Sequence, residues 1–357
     1  MSWLLAFLGF AVLIILHEAG HFFAAKAVGM RVERFSLFFP PLVARYKRGE
    51  TEYAIGSIPL GGYVKITGMN PAEDIPPEHA HRAYFRQPVW KRIVVIGAGP
   101  LVNIVLAFVI LGGVFLARGP VEAPLVVGKV EAGLPAAGKL QPGDKVVAVD
   151  GKRLTGDYQD QLQQVTTAVG AHKGDAVSFT LDRDGKTVTV SGNTFYDNKQ
   201  KPPRYRFGFG YDEDAMRSDV GPVRAAGLAV DQMWFVTSST VSHIAQIFKA
   251  DKREEIGSFV GGYETTRQTI KQDDLILTLS VLALISLSLG VINLFPFLPL
   301  DGGHIFWALA EKVRGKAIPF SVMERAGFIG FALVLMLFVI GLTNDIDRLQ
   351  NGGFGIR

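Results

Sequence analysis

Chemistry in this sequence begins with His17-Glu18-Ala19-Gly20-His21. On a helix, residues four apart lie within about 40° of each other around the axis, so His17 and His21 can bring both imidazoles to one point. Two imidazoles at that spacing can hold a divalent metal ion, and Glu18 beside them can take a proton from a water held by that ion. Catalytic zinc usually takes three protein ligands and keeps one position open. The chain has no cysteine, so thiolates are excluded and any metal must use His, Asp or Glu.

These residues lie in a long apolar run, residues 3–27. Runs 93–117, 275–297 and 320–342 are similar, each close to the ~20 apolar residues that a bilayer core requires. An ionisable group inside such a span costs about 2.5 to 3.5 kcal/mol on insertion scales and persists mainly where it functions. Run 275–297 ends in Phe295-Pro296-Phe297-Leu298-Pro299, a break that must face protein or water. The first run could be read as a signal peptide because of Ala25-Lys26-Ala27, but it has no basic start and Glu18 interrupts it.

A mean hydropathy of +0.25 with 20% charged residues fits spans alternating with aqueous sequence. Between the first two spans lie Arg31, Arg34, Arg45, Lys47, Arg48, Lys65, Arg82, Arg86, Lys91 and Arg92, a basic excess that predicts a cytoplasmic loop and an N-terminus outside. The net charge of +4 is thereby assigned to the membrane's inner face, and no nucleic-acid partner is expected. Residues 118–273 then lie outside, and Lys312, Arg314 and Lys316 return to the cytoplasm. Residues 222–248, interrupted by Arg224, Asp231, Gln232 and His243, are expected as an amphipathic helix on the outer surface.

With that topology the first and third spans both run inward, which brings Asp301 to the side of His17 and His21. Asp301 is the favoured third ligand, and His304, one turn on, is its rival. Gly302 and Gly303 predict a turn here rather than regular helix. His79 and His81, without acidic partners at helical spacing, read as solvated loop residues.

Residues 118–212 look like a PDZ domain, mainly β. Pro142-Gly143-Asp144 predicts a turn, Lys145 to Val149 a strand, and Asp150-Gly151 a hairpin turn. Strands are expected at residues 176–181 and 187–190, joined through Arg183-Asp184-Gly185.

Four motifs in order give the chain a specific resemblance to the site-2 protease family of intramembrane zinc metalloproteases, particularly its regulator of sigma-E protease branch. They are His17-Glu18-Ala19-Gly20-His21, Ile58-Pro59-Leu60-Gly61-Gly62-Tyr63-Val64-Lys65, Gly99-Pro100-Leu101-Val102-Asn103 and the run from Asn293 to Gly303. The resemblance implies one zinc ion held by His17, His21 and Asp301, with Glu18 as base. It implies cleavage within the membrane segment of a single-span protein, such as an anti-sigma factor or a remnant signal peptide. It also places Asn293 near the metal, contacting substrate or the developing oxyanion, although a helix-packing hydrogen bond would serve as well. Asn103 is read as a packing residue. A hairpin over residues 56–69 is expected to dip into the membrane and offer a strand edge to substrate, with Gly61, Gly62 and Tyr63 as contacts; the alternative is a tight cytoplasmic turn at Gly61-Gly62. Relatives from proteobacteria carry two PDZ domains where one is visible here, which separates this protein's regulation from theirs.

The expected fold is a polytopic α-helical membrane protein with four transmembrane helices, a membrane-associated β-hairpin and one inserted extracytoplasmic PDZ domain. Its parts are 1–117, 118–212, a surface helical linker at 213–273, and 274–357. Expected partners are single-span membrane proteins and the lipid bilayer of a bacterial inner membrane; the PDZ domain can bind a ligand by strand addition or act as a steric gate, and the resemblance favours the gate. A second reading is a non-catalytic membrane adaptor that presents its PDZ domain and keeps a structural metal.

Overall fold

Helix α1, Ser2–Ala27, is apolar around its whole circumference apart from the metal-spaced residues, so it has no face suited to water. The computed structural model describes residues 1–70, 73–198, 203–246 and 257–350. Among these, four helices are long and apolar enough to cross a membrane: α1, α2 (Val89–Arg118), α6 (Leu275–Asn293) and α8 (Phe320–Gln350). The chain divides into two compact units, one formed by residues 1–113 and 229–357, the other by residues 114–228.

In the first unit, strands β1 (Val32–Arg48) and β2 (Thr51–Ile66) follow α1. This corrects the expected hairpin at 56–69: the hairpin is longer and turns at Gly49-Glu50, while Gly61 and Gly62 lie within β2. Both strands are broken in register. Arg34 to Leu37 lie opposite Glu52 to Ile55 and also opposite Lys65 to Gly62, so the ribbon folds over itself. The cause is local chemistry. Pro40 and Pro41 have no N–H to give the ladder, and Pro59, Gly61 and Gly62 weaken the matching stretch of β2. The folded ribbon lies along α1, with Phe35 against Phe22 (ring centroids 5.4 Å apart) and Phe38 against Phe7 (5.7 Å).

Helix α4, Pro222–Ala245, was expected on the outer surface. Its Met233 and Val236 pack on Ala107 of α2 and on Leu287 and Val291 of α6. The polar residues that interrupt its sequence leave an apolar stripe, and that stripe is what meets α2 and α6. Residues 247 and 248 lie outside the described residues. Helix α5 (Phe259–Lys271) is capped at its start by Asp345 of α8, whose carboxylate accepts from the N–H groups of Ser258 (2.7 Å) and Gly261 (2.8 Å). Helix α7 (Asp301–Arg314) follows α6 after seven residues of turns. It contains Gly302 and Gly303, which corrects the turn expected there. Their role is close approach: a Cβ at Gly302 would strike the carbonyl of Leu294.

In the second unit, β3 (Val127–Val130) pairs with residues 209–211, while β4 (Lys145–Val149), β5 (Lys152–Arg153), β6 (Ala176–Arg183) and β7 (Lys186–Asn193) form an antiparallel sheet in the order β5-β4-β6-β7; this sheet packs with α3 (Tyr158–Ala171). Its core includes Val146, Val177, Phe179 and Leu181 from the sheet and Val165 and Val169 from α3. Both tight turns use a left-handed Asp-Gly pair, Asp150-Gly151 (φ 49° and 73°) and Asp184-Gly185 (52° and 79°).

Candidate metal centre and active site

On α1, His17 and His21 are one helical turn apart and both buried. Asp301, the first residue of α7, reaches the same point. Its Oδ2 lies 3.2 Å from His17 Nε2 and 3.3 Å from His21 Nε2, and the two nitrogens are 3.3 Å apart. This is a nearly equilateral triangle of ligand atoms. Zinc bonded to nitrogen or oxygen at about 2.0 to 2.1 Å in tetrahedral geometry needs ligand atoms about 3.3 to 3.4 Å apart, so the residues fit the ion. The triangle leaves a fourth position open. Among the described residues, these three form the one group of His, Asp and Glu side chains spaced for a metal, and His304 is not in it.

Each corner is braced from α2, at a different residue. His21 Nδ1 lies 2.9 Å from the carbonyl oxygen of Val95, which can only accept, so Nδ1 carries the proton and Nε2 presents its lone pair. Pro100 lies inside α2, where its missing N–H leaves the carbonyl of Ile96, next to Val95, without its helical donor. The motif glycine Gly99 makes the approach possible: a Cβ there would collide with Nε2 of His21. His17 Nδ1 lies 3.3 Å from the side-chain amide of the fully buried Asn103. For Asp301, the brace is an ion pair at the far end of its helix: Arg92 at the start of α2 donates to both carboxylate oxygens of Glu311, at 3.0 and 2.7 Å.

Glu18 faces the folded ribbon. The N–H of Val64 is directed at its carboxylate, and a Cβ at Gly62 would lie 2.8 Å from its Cγ. Gly62 thus lies directly over the candidate base, and Gly61, with φ of 149°, continues the same stretch. Tyr63 is turned to other partners: its hydroxyl accepts from Arg34 at 3.2 Å, and its ring stacks on Phe39 with centroids 5.8 Å apart. Asn293 ends α6, half-buried, and no hydrogen bond joins it to the triangle. His79 and His81 lie in a short 3-10 helix away from this group. The sequence reading missed Val95, whose carbonyl carries no side-chain signal, and gave Asn103 only a packing role.

Two histidines on a helix of transmembrane length, with a glutamate between them, thus meet an aspartate from the start of α7 in a group that could hold a metal. The chain belongs to peptidase family M50, the site-2 proteases, whose sequence profile matches residues 5–337. A Brucella suis protein provisionally named a zinc metalloprotease is 30% identical over 94% of this chain and 92% of its own length. The metalloprotease MmpA of Caulobacter vibrioides is 27% identical over 95% and 93% of the two chains. The zinc metalloprotease RasP of Shouchella clausii is 27% identical over 98% of this chain and its full length. Among solved structures, the PDZ domain of an SdrC-like protein from Listeria innocua is 22% identical, covers 25% of this chain and 93% of its own, and has a TM-score of 0.21. The protein is a zinc metalloprotease with several apolar helices, and the expectation drawn from its motifs is met at the level of family.

Proposed function

We propose that this protein hydrolyses a peptide bond within or near the transmembrane segment of a single-span protein, in regulated intramembrane proteolysis at a bacterial inner membrane. The observation that carries the reading is the ligand triangle on apolar helices, with Glu18 held beside it under a strand. His17, His21 and Asp301 hold one zinc ion. When bound, zinc lowers the pKa of coordinated water to about 7 and polarises the scissile carbonyl. Glu18 takes the proton of the attacking water and passes it to the departing amine as the C–N bond breaks.

An intact helix hides its peptide groups, so the substrate must unwind and be held extended. The stretch Gly61-Gly62-Tyr63 supplies backbone for that pairing, a reading supported by its closeness to Glu18. Asn293 contacts the substrate as the chain leaves α6. An apolar groove of about 770 Å³ between α2, α4 and α6, lined by Ile104, Phe108, Met233, Leu287 and Phe295, opens beside that position and suits an apolar segment. Residues 118–212 form an extracytoplasmic PDZ-like domain that gates access by size, and the metal lies towards the cytoplasmic end of the spans. Residues 1–117 and 274–357 together make the protease core, joined by the helical linker 213–273.

Glu18→Gln tests the mechanism, because it removes the base and leaves all three ligands. Cleavage of a transmembrane reporter in proteoliposomes is expected to fall by about 100-fold or more, with zinc content unchanged. Wild-type cleavage by this variant would overturn the mechanism. A wild-type protein that holds zinc and cleaves no membrane segment would instead favour the adaptor.

A further inference from the structure

We propose that Asn103 is the positioning residue for His17: its side-chain carbonyl accepts the Nδ1 proton and thereby turns the Nε2 lone pair to the metal. The inference rests on the reading of His17 as a zinc ligand. A metal-bound imidazole must present a lone pair, so its proton must sit on the other nitrogen and find an acceptor there. For His21 that acceptor is the carbonyl of Val95. Among the described residues, the neighbour of His17 Nδ1 at hydrogen-bonding distance is the Asn103 amide, at 3.3 Å.

A primary amide has the same shape either way round, and its two orientations have opposite consequences. With Nδ2 towards the ring, Asn103 donates, the proton of neutral His17 moves to Nε2, and the lone pair is lost to the metal. In that orientation Asn103 Oδ1 is buried without any hydrogen bond. With Oδ1 towards the ring, the orphaned oxygen gains a donor and Nε2 is freed at the same corner of the triangle. The same turn carries Nδ2 to the position that Oδ1 leaves, so it is the need of a bound metal for the Nε2 lone pair, and not the hydrogen-bond count, that selects this orientation.

The backbone that carries this amide is held from α6. Ser286, fully buried, donates its hydroxyl to the backbone carbonyl of Asn103 at 3.0 Å. Gly290 lets the helices meet, since a Cβ there would lie 3.0 Å from the carbonyl of Pro100 and 3.3 Å from Asn103 Cβ. The second and third spans together therefore set the orientation of a ligand carried by the first. Asn103 is more than the packing residue expected from sequence.

The test is equilibrium zinc affinity, measured by competition with a chromogenic chelator on the purified full chain in detergent. Asn103→Leu keeps the volume and removes the acceptor, and a 10- to 100-fold loss of affinity is expected. Asn103→Asp restores an acceptor and is expected to bind zinc within a few-fold of wild type. A purely structural role predicts the reverse order, because a buried carboxylate disturbs packing more than leucine does. Equal affinity of Asn103→Leu and wild type, or Asn103→Asp binding no better than Asn103→Leu, would overturn the proposal. If Asn103→Leu does not fold, Asn103→Ala is compared with Asn103→Asp by the same criterion. His17→Ala is measured in parallel: undiminished affinity there would remove the ligand reading itself, whereas loss there with no effect of Asn103→Leu would remove only the role of Asn103.

Discussion

Two glycines carry the backbone to the reacting side chains, and they should fail differently when filled. A methyl at Gly99 would occupy the place of His21 Nε2, and the imidazole can retreat only by leaving the carbonyl of Val95. Gly99→Ala is therefore expected to lower zinc affinity about 10-fold or more, the range seen when ligand orientation is lost. Gly97→Ala is its control, because a Cβ there would meet only the end of the Ile305 side chain at 3.9 Å. A methyl at Gly62 would press on Glu18 Cγ at 2.8 Å and on the Ser36 carbonyl at 3.0 Å, leaving the triangle untouched. Gly62→Ala should keep its zinc and lose cleavage rate. Chelator competition and a reporter assay on the same preparations separate the two effects, and zinc loss by Gly62→Ala would contradict this division of roles.

Among the elements, the inserted β unit has an electrostatic pin that acid should release. Asp144, in the turn before β4, accepts from Arg183 at 2.6 and 2.7 Å and from the N–H of Gln141 at 2.8 Å. These donors, the guanidinium foremost, hold its carboxyl below the usual aspartate value. A depressed carboxylate stabilises the fold above its unfolded pKa, near 3.9, and that contribution disappears as pH falls through the lower folded value. Amide protection in β4 and β6, followed by hydrogen exchange, should thus be insensitive to this pair near neutrality and fall below about pH 4. Asp144→Asn is expected to cost about 2 kcal/mol at pH 7, since Arg183 loses its partner, and to weaken the acid step. An unchanged acid profile in the variant would show that the pair is not the pin. This element was legible in the sequence because Pro142-Gly143-Asp144, Asp150-Gly151 and Asp184-Gly185 mark turns by local rules. The four long apolar helices were legible for the same kind of reason, since length and composition act locally. The folded ribbon was not. Its register depends on which residues meet across Pro40-Pro41 and Pro59, and Gly61-Gly62 reads equally as a turn or as room for Glu18. Of the site, the three metal-spaced side chains were legible from motif and topology. The braces at Val95 and Asn103 were hidden, one being a backbone atom and the other an amide whose partner lies on another span.

For the whole molecule the decisive property is orientation, because His17 and His21 on α1 and Asp301 after α6 can share a metal only if both helices run the same way through the bilayer. The basic residues between α1 and α2 and the cluster Lys312, Arg314 and Lys316 both argue for a cytoplasmic position. The chain has no cysteine, so any introduced thiol is a unique reporter. Lys186→Cys, at the exposed start of β7, is expected to react with an impermeant maleimide in intact spheroplasts. Lys47→Cys on β1 and Lys316→Cys after α7 should react only once the membrane is permeabilised. Phe235→Cys probes α4, whose ring at this position is 65% exposed in the protein. Packing of neighbouring Met233 and Val236 against α2 and α6 predicts that it is shielded from the reagent by lipid, where a helix resting on the outer surface would label. Labelling of Lys186→Cys and Lys47→Cys from the same side would break the topology that unites the two halves of the site. With the other three sites labelled as expected, an unlabelled Phe235→Cys would leave α4 against lipid, beside the groove that a substrate segment is proposed to enter, and a labelled one would put it on the outer surface.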